Sequence, residues 1–172
     1  MHSADVLALA YSYPHPDALA DLSAAAETLR GGAVRHELEK FLAAIRELDL
    51  AGWEELHTAT LDLSPMFVPY VGHVVWGENY RRGEFMADLN GEMRDVGVSL
   101  DGELPDHIAP VLRYLARHED PFADLVEVLP RAVDSMRDTL SNASPGNPYI
   151  HLLAATVAYC ADLRPQMIGR GT

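Results

Sequence analysis

The sequence predicts an all-α, single-domain bundle of about eight helices spanning residues 1–172. Apolar residues recur at spacings of three and four through most of the chain. Strand signals are nearly absent, with no convincing alternation and no Asn-Gly or Asp-Gly turn between β-branched runs. No internal repeat, low-complexity segment or long linker divides the chain, and 172 residues suffice to bury one core.

The first helix is expected over Ser3 to Tyr13, with Ser3 as cap and Pro14 as stop. His15-Pro16-Asp17 opens a second, which runs to Leu29 and closes at Gly31-Gly32. The third, Ala33 to Leu48, carries Val34, Leu38, Phe41, Leu42, Ile45 and Leu48 on one face, opposite Arg35, Glu39 and Arg46. Asp49 caps a fourth through Leu61, which Leu63-Ser64-Pro65 breaks. A Met66–Pro69 turn leads into a short helical run, Tyr70 to Trp76, ended by Gly77.

The fifth main helix, roughly Asn79 to Val96, sets Phe85, Met86, Leu89, Met93 and Val96 on one face, with Gly97 as its C′ residue. Gly83 and Gly91 lie inside it, each costing about 1 kcal/mol relative to alanine, which points to a backbone packed closely against them. A polar loop, Ser99 to Pro105, precedes a sixth helix with Ile108, Val111, Leu112 and Leu115. Asp120-Pro121 starts a seventh, expected to break or kink near Pro130. Asn147-Pro148 opens the last, striped by Ile150, Leu153, Val157 and Cys160 and stopped by Pro165 and the glycine-containing tail.

Acidic residues number 26 against 13 basic ones, for a net charge of −13. Such a chain repels nucleic-acid phosphates and anionic membrane surfaces, and its acidity either favours a basic partner or simply keeps a cytosolic protein soluble. No run approaches the roughly 18 apolar residues of a membrane span. The N-terminus lacks a basic n-region and carries Asp5 early, so a cytoplasmic protein is expected. The single cysteine, Cys160, leaves no intrachain disulfide and reads as a buried structural thiol.

Familiar catalytic patterns fail one by one. His36-Glu37 begins like a zinc-protease helix, but Lys40 stands where the second histidine must be. Glu54-x-x-His57 is one half of a di-iron signature whose second copy is missing. There is no G-x-G-x-x-G, P-loop or G-x-S-x-G. The aromatic and basic residues Trp76, Tyr80, Arg81 and Arg82 mimic a nucleic-acid platform, yet Glu78, Glu84 and Asp88 neutralise it. The remaining candidates are Tyr70, Trp76, Tyr80, Arg82, Glu103, Asp106 and His107. The aromatics could simply be core, Asp106 a helix N-cap, His107 a first-turn hydrogen-bonding residue or pH-sensitive contact, and Arg82 a surface partner of Glu78 or Asp88.

Two of these segments carry a family pattern. Gly77-Glu78-Asn79-Tyr80-Arg81-Arg82-Gly83-Glu84-Phe85-Met86-Ala87-Asp88-Leu89 resembles the G-E-x-x-x-R-G-x-x-M-x-x-L segment of the nitrate reductase assembly chaperones. Glu103-Leu104-Pro105-Asp106-His107, with Leu112 and Leu115-Ala116 after it, is similar to their E-L-P-D-[HY]…L-x-x-L-A segment. Upstream, Thr60-Leu61-Asp62-Leu63-Ser64 is similar to a T-F-D-x-S segment, with leucine in place of phenylalanine and Ala59 where a glutamate is common.

The resemblance implies a cytoplasmic chaperone without catalysis or a cofactor or metal of its own. It would bind the catalytic subunit of a molybdenum oxidoreductase at its N-terminal signal or signal-like peptide until molybdopterin, carried by that client, is inserted. Tyr70, Trp76, Tyr80, Arg82, Glu103, Pro105, Asp106 and His107 would bind the peptide. The competing expectations are a metal-dependent bundle enzyme using Glu54 and His57, and a helical adaptor for an unrelated partner.

Overall fold

The computed structural model describes residues 1–62 and 65–170, the side chains of 164–170 excepted. The described residues form nine α-helices and one π-helical turn: α1 (Ser3–Tyr11), α2 (Ala18–Glu27), α3 (Ala33–Arg46), α4 (Leu50–His57), the π turn (Thr58–Asp62), α5 (Val71–Trp76), α6 (Tyr80–Asp95), α7 (Ile108–Arg117), α8 (Ala123–Ala143) and α9 (Tyr149–Arg170). The expected all-α class holds, with the short run before Gly77 counting as a ninth helix. The Leu63-Ser64 break and the chain beyond Arg170 lie outside the described residues.

α9 is the axis of the bundle, packed against α3, α8 and α1. Leu152, Leu153, Ala155 and Cys160 are buried along it. α1 packs on α7 as well as α9, and so has almost no polar face: Ala4, Val6, Leu7, Ala8, Ala10 and Tyr11 are all buried. A helix covered on both sides needs partners for its polar groups. Tyr11 shares a 2.9 Å hydrogen bond with Thr156 of α9, whose hydroxyl also donates to the Leu152 carbonyl.

Several ends differ from expectation for identifiable reasons. His2, not Ser3, caps α1: its Nδ1 accepts the Ala4 amide at 3.2 Å. Pro130 does not divide α8, because Leu125, Val128 and Leu129 before it and Ala132, Val133 and Met136 after it bury one continuous face. Likewise α9 continues past Pro165; losing one backbone donor does not end a helix anchored over its preceding turns. Asp49 caps α4 as expected, its Oδ1 accepting from the Gly52 amide at 2.7 Å. Gly97, at φ +70°, closes α6 in a Schellman arrangement, the Val98 amide reaching the Met93 carbonyl and Gly97 that of Arg94.

Asn147 joins two parts of the fold. Its side-chain oxygen accepts from the Tyr149 amide at the start of α9, and its amide donates to Thr60 in the π turn, each at 2.9 Å. Asn147→Ala should therefore lower the unfolding free energy by about 2–3 kcal/mol, the sum of a lost cap and an orphaned buried acceptor. Equilibrium urea unfolding measures this; a loss under about 0.5 kcal/mol would mean that the contact contributes nothing beyond ordinary surface substitution.

Candidate functional site

The site begins with two extended stretches. Pro69–Tyr70 and Asp106–His107 run antiparallel for a single bridge, Tyr70 opposite His107. The Val71 amide donates to the Asp106 carbonyl at 2.8 Å, and the Ile108 amide to that of Pro69 at 2.9 Å. This pairing fixes the starts of α5 and α7 side by side.

Asp106 lies between them with no solvent exposure. Its Oδ2 accepts from Arg82 Nε and from the Gly72 amide, both at 3.0 Å, and its Oδ1 accepts from Arg82 Nη2 at 3.2 Å. The forked guanidinium and one backbone N–H thus supply three donors to a carboxylate that water does not reach. Arg82 does not pair with Glu78 or Asp88 on a solvated face, as its helical spacing allowed; it reaches inward to α7's approach. Asp106 is not the N-cap of α7 either. His107 takes that role, its Nδ1 accepting the Ala109 amide at 3.1 Å, which releases Asp106 to bind across the fold.

Gly72 is the glycine that close packing requires. A Cβ there would stand 2.8 Å from Asp106 Oδ2, 3.1 Å from Arg82 Cγ and 3.2 Å from Phe85. Gly83 and Gly91, expected to meet another backbone, have open space where a Cβ would go. That expectation is overturned: their positions on α6 leave room around them, and their cost is one of helix propensity alone.

Around this clamp stand the other candidates. The Tyr70 hydroxyl donates to Glu103 Oε2 at 2.8 Å, its ring meets His107 edge-on at 5.2 Å, and the Arg82 guanidinium lies 5.6 Å from the ring centre. Burial, and then the hydrogen bond and charge of Glu103, push the Tyr70 hydroxyl up to about 12, so it remains a donor at neutral pH. Pro105 is buried just before Asp106. Trp76 sits half-buried at the end of α5, 5.0 Å from Phe85 and 5.5 Å from the Arg81 guanidinium. Tyr80, 79% exposed, takes no part in the cluster among the described residues.

Beside Glu103 and His107 opens a cavity of about 300 Å3. Its polar lining also includes Tyr13 after α1, His57, Asp62 of the π turn, Asp101, and Arg113 of α7. A π turn inside a helix commonly marks a functional place, because it swings side chains out of the regular register. His57, singled out with Glu54 as a possible metal ligand, is instead tied to α9. The Trp53 indole N–H donates to the Tyr149 hydroxyl at 3.1 Å, and that hydroxyl lies 3.0 Å from His57 Nδ1. Since indole can only donate, the buried Tyr149 proton is satisfied by His57 Nδ1, which leaves the imidazole proton on Nε2, facing Asp62 at 3.8 Å. Among the described residues, no three His, Cys, Asp or Glu side chains are grouped to hold a metal ion.

Sequence reasoning found five residues that converge here: Tyr70, Arg82, Glu103, Asp106 and His107. It missed Gly72, Tyr13, Asp62 and Arg113 as members of the site. Gly72 had no local signal, since its constraint comes from α6 and from the approach to α7. No protein-family model matches this chain, and no curated protein matches it in sequence.

Two outcomes follow from this geometry. Gly72→Ala should cost about 1–3 kcal/mol by overpacking, less the gain of up to about 1 kcal/mol in helix propensity, whereas Gly83→Ala should be neutral or stabilising by up to about 1 kcal/mol. Urea unfolding of the pair decides, and equal effects at both positions would contradict the clamp.

The second concerns pH. Burial holds both His57 and His107 below the ordinary imidazole range, opposed at His57 by Asp62 and at His107 first by Glu103. An imidazole depressed in the folded state is protonated first in the unfolded chain. Stability is therefore full above about pH 6.5 and falls as pH drops toward the folded-state values. His107→Asn keeps a capping oxygen but cannot titrate, so its unfolding free energy should fall less between about pH 7.5 and 5.5 than that of the native chain. Parallel curves would show that His107 does not contribute.

Proposed function

We propose that this protein is a cytoplasmic chaperone that turns nothing over. It binds the catalytic subunit of a molybdenum-containing oxidoreductase, of nitrate-reductase type, through its N-terminal signal or signal-like peptide. It holds that subunit while the client's own molybdopterin is inserted. One observation carries this reading above the others. The two segments that resemble the nitrate reductase assembly chaperones, one at the start of α6 and one before α7, are joined by the Arg82–Asp106 pair across 24 residues of sequence. The resemblance thus falls on residues that make one structural unit, and that unit borders a cavity.

The chemistry supports the same reading. A net charge of −13 attracts a peptide with basic residues, and steers it at low ionic strength. Leu104 and Val68, 46% and 36% exposed, lie on the two loops that the bridge brings together and offer apolar contacts next to Glu103 and Tyr70. No helix among the described residues is long and apolar enough to cross a membrane.

Calorimetric titration with the N-terminal peptide of a molybdoenzyme catalytic subunit, encoded near this chain, should give a dissociation constant in the nanomolar to micromolar range. Affinity should fall as salt rises from about 0.01 to 0.15 M, as the screening length shortens. Absence of binding by both the peptide and the whole subunit at low salt would refute the proposal.

A further inference from the structure

The carboxylates at the cavity differ in how they are compensated. Of the three that line it, Asp101 has Arg113, whose Nη2 lies 3.3 Å from it; Asp106, which does not line it, is bound by Arg82. Asp62 and Glu103 have no arginine or lysine partner among the described residues. Asp62 lies 3.8 Å from His57 Nε2, and Glu103 accepts from the neutral Tyr70 hydroxyl. Two uncompensated carboxylates on the wall of one small cavity favour a cation.

A second observation points to what carries that cation. His107 is 7% exposed and lines the cavity, and its Nδ1 is taken by the Ala109 amide. Its remaining proton is therefore on Nε2, and no acceptor lies within hydrogen-bonding reach of it among the described residues. On the same wall, Arg113 Nε is buried without a partner. A buried donor left unmatched is costly, so Arg113 Nε calls for an acceptor oxygen, and Nε2 of the cavity-lining His107 can donate to another. A bare metal ion would answer the carboxylates but not the donors. A peptide residue with a long basic side chain answers both, because its cationic end is separated by a short chain from main-chain carbonyls. Tyr13, 53% exposed at the rim and 5.3 Å edge-on from His57, offers a ring face to such a cation. A volume of about 300 Å3 suits one side chain and its backbone rather than a helix.

We propose that this cavity is the subsite for one arginine or lysine of the client peptide, with Asp62 and Glu103 pairing its cationic group and His107 and Arg113 donating to its main-chain carbonyls. The inference rests on the peptide-binding reading above, and it places a basic residue at the C-terminal end of α1, against the π turn and the start of α7.

Two measurements separate this proposal from that reading. In the first, N-acetyl-arginine-N′-methylamide is titrated into the full chain and followed by backbone-amide NMR, with the citrulline analogue as its uncharged match. Saturable shifts at His57, Asp62, Glu103 and His107 are expected with arginine and not with citrulline, and they should vanish in the Asp62→Asn, Glu103→Gln double variant. Equal or scattered responses to the two probes on the native chain would overturn the subsite, whatever the variant does. In the second, the client peptide is titrated calorimetrically into the same double variant, where affinity should fall about tenfold or more, while Glu55→Gln on the exposed side of α4 leaves it unchanged. Client binding that is insensitive to the double variant overturns the subsite and leaves the chaperone reading standing. Arginine-specific shifts without client binding retain the subsite and remove the chaperone.

Discussion

The fold of the central region depends on satisfying one buried carboxylate. Asp106 is fully removed from water, and the desolvation of such a group costs several kcal/mol before any partner is counted. The Arg82 fork and the Gly72 amide offset that cost, and each partner comes from a different helix. α5 has six residues and cannot persist as an isolated helix. It is held because its second residue donates into the Asp106 carboxylate and its first pairs with the Asp106 carbonyl. Removing Asp106 would orphan a guanidinium and an amide together, so the three elements stand or fall as a unit.

That constraint also explains a division of labour between neighbours. Asp106 sits where an N-cap might be placed from sequence, but a side chain cannot both cap α7 and reach Gly72 and Arg82. His107, one residue on, does the capping through Nδ1. The same choice decides its tautomer, and so sets a donor facing the cavity. Structural and recognition chemistry are coupled within two adjacent residues. A change at either one is felt by both the helix start and the cavity wall.

The helices were legible in the sequence because their signals are local. The apolar face of α3, the Asp49 cap and the Gly97 turn each need only a few neighbouring residues to declare themselves. What could not be read was the pairing across distance. Gly72 looks like an unremarkable glycine in a valine-rich run until Asp106, 34 residues later, arrives against it. Gly83 and Gly91 look costly by helix propensity, but propensity does not say whether anything packs there. His57 had the spacing of half a metal motif, and its actual partner is Tyr149, 92 residues away. Five of the eight site candidates cluster because the Asp106 carboxylate and the Tyr70–His107 bridge draw them together, whereas Tyr80 lies outside on an exposed helix start.

An acidic protein gains little specificity from net charge, since every basic segment is attracted to it. Discrimination arises where charges are partly desolvated and their compensation is uneven. Among the described residues, one of the three carboxylates lining this cavity has an arginine partner supplied by the fold and two do not, while burial holds both histidines toward the neutral form. The uncompensated pair would be strained if deeply buried, but Asp62 has 42% of its side chain exposed and can wait in water. On the proposal made for this cavity, it gains most from a ligand that brings a cation and carbonyl oxygens together. That requirement is met by a basic residue within a peptide chain, and it is met poorly by a free ion or by an apolar helix alone.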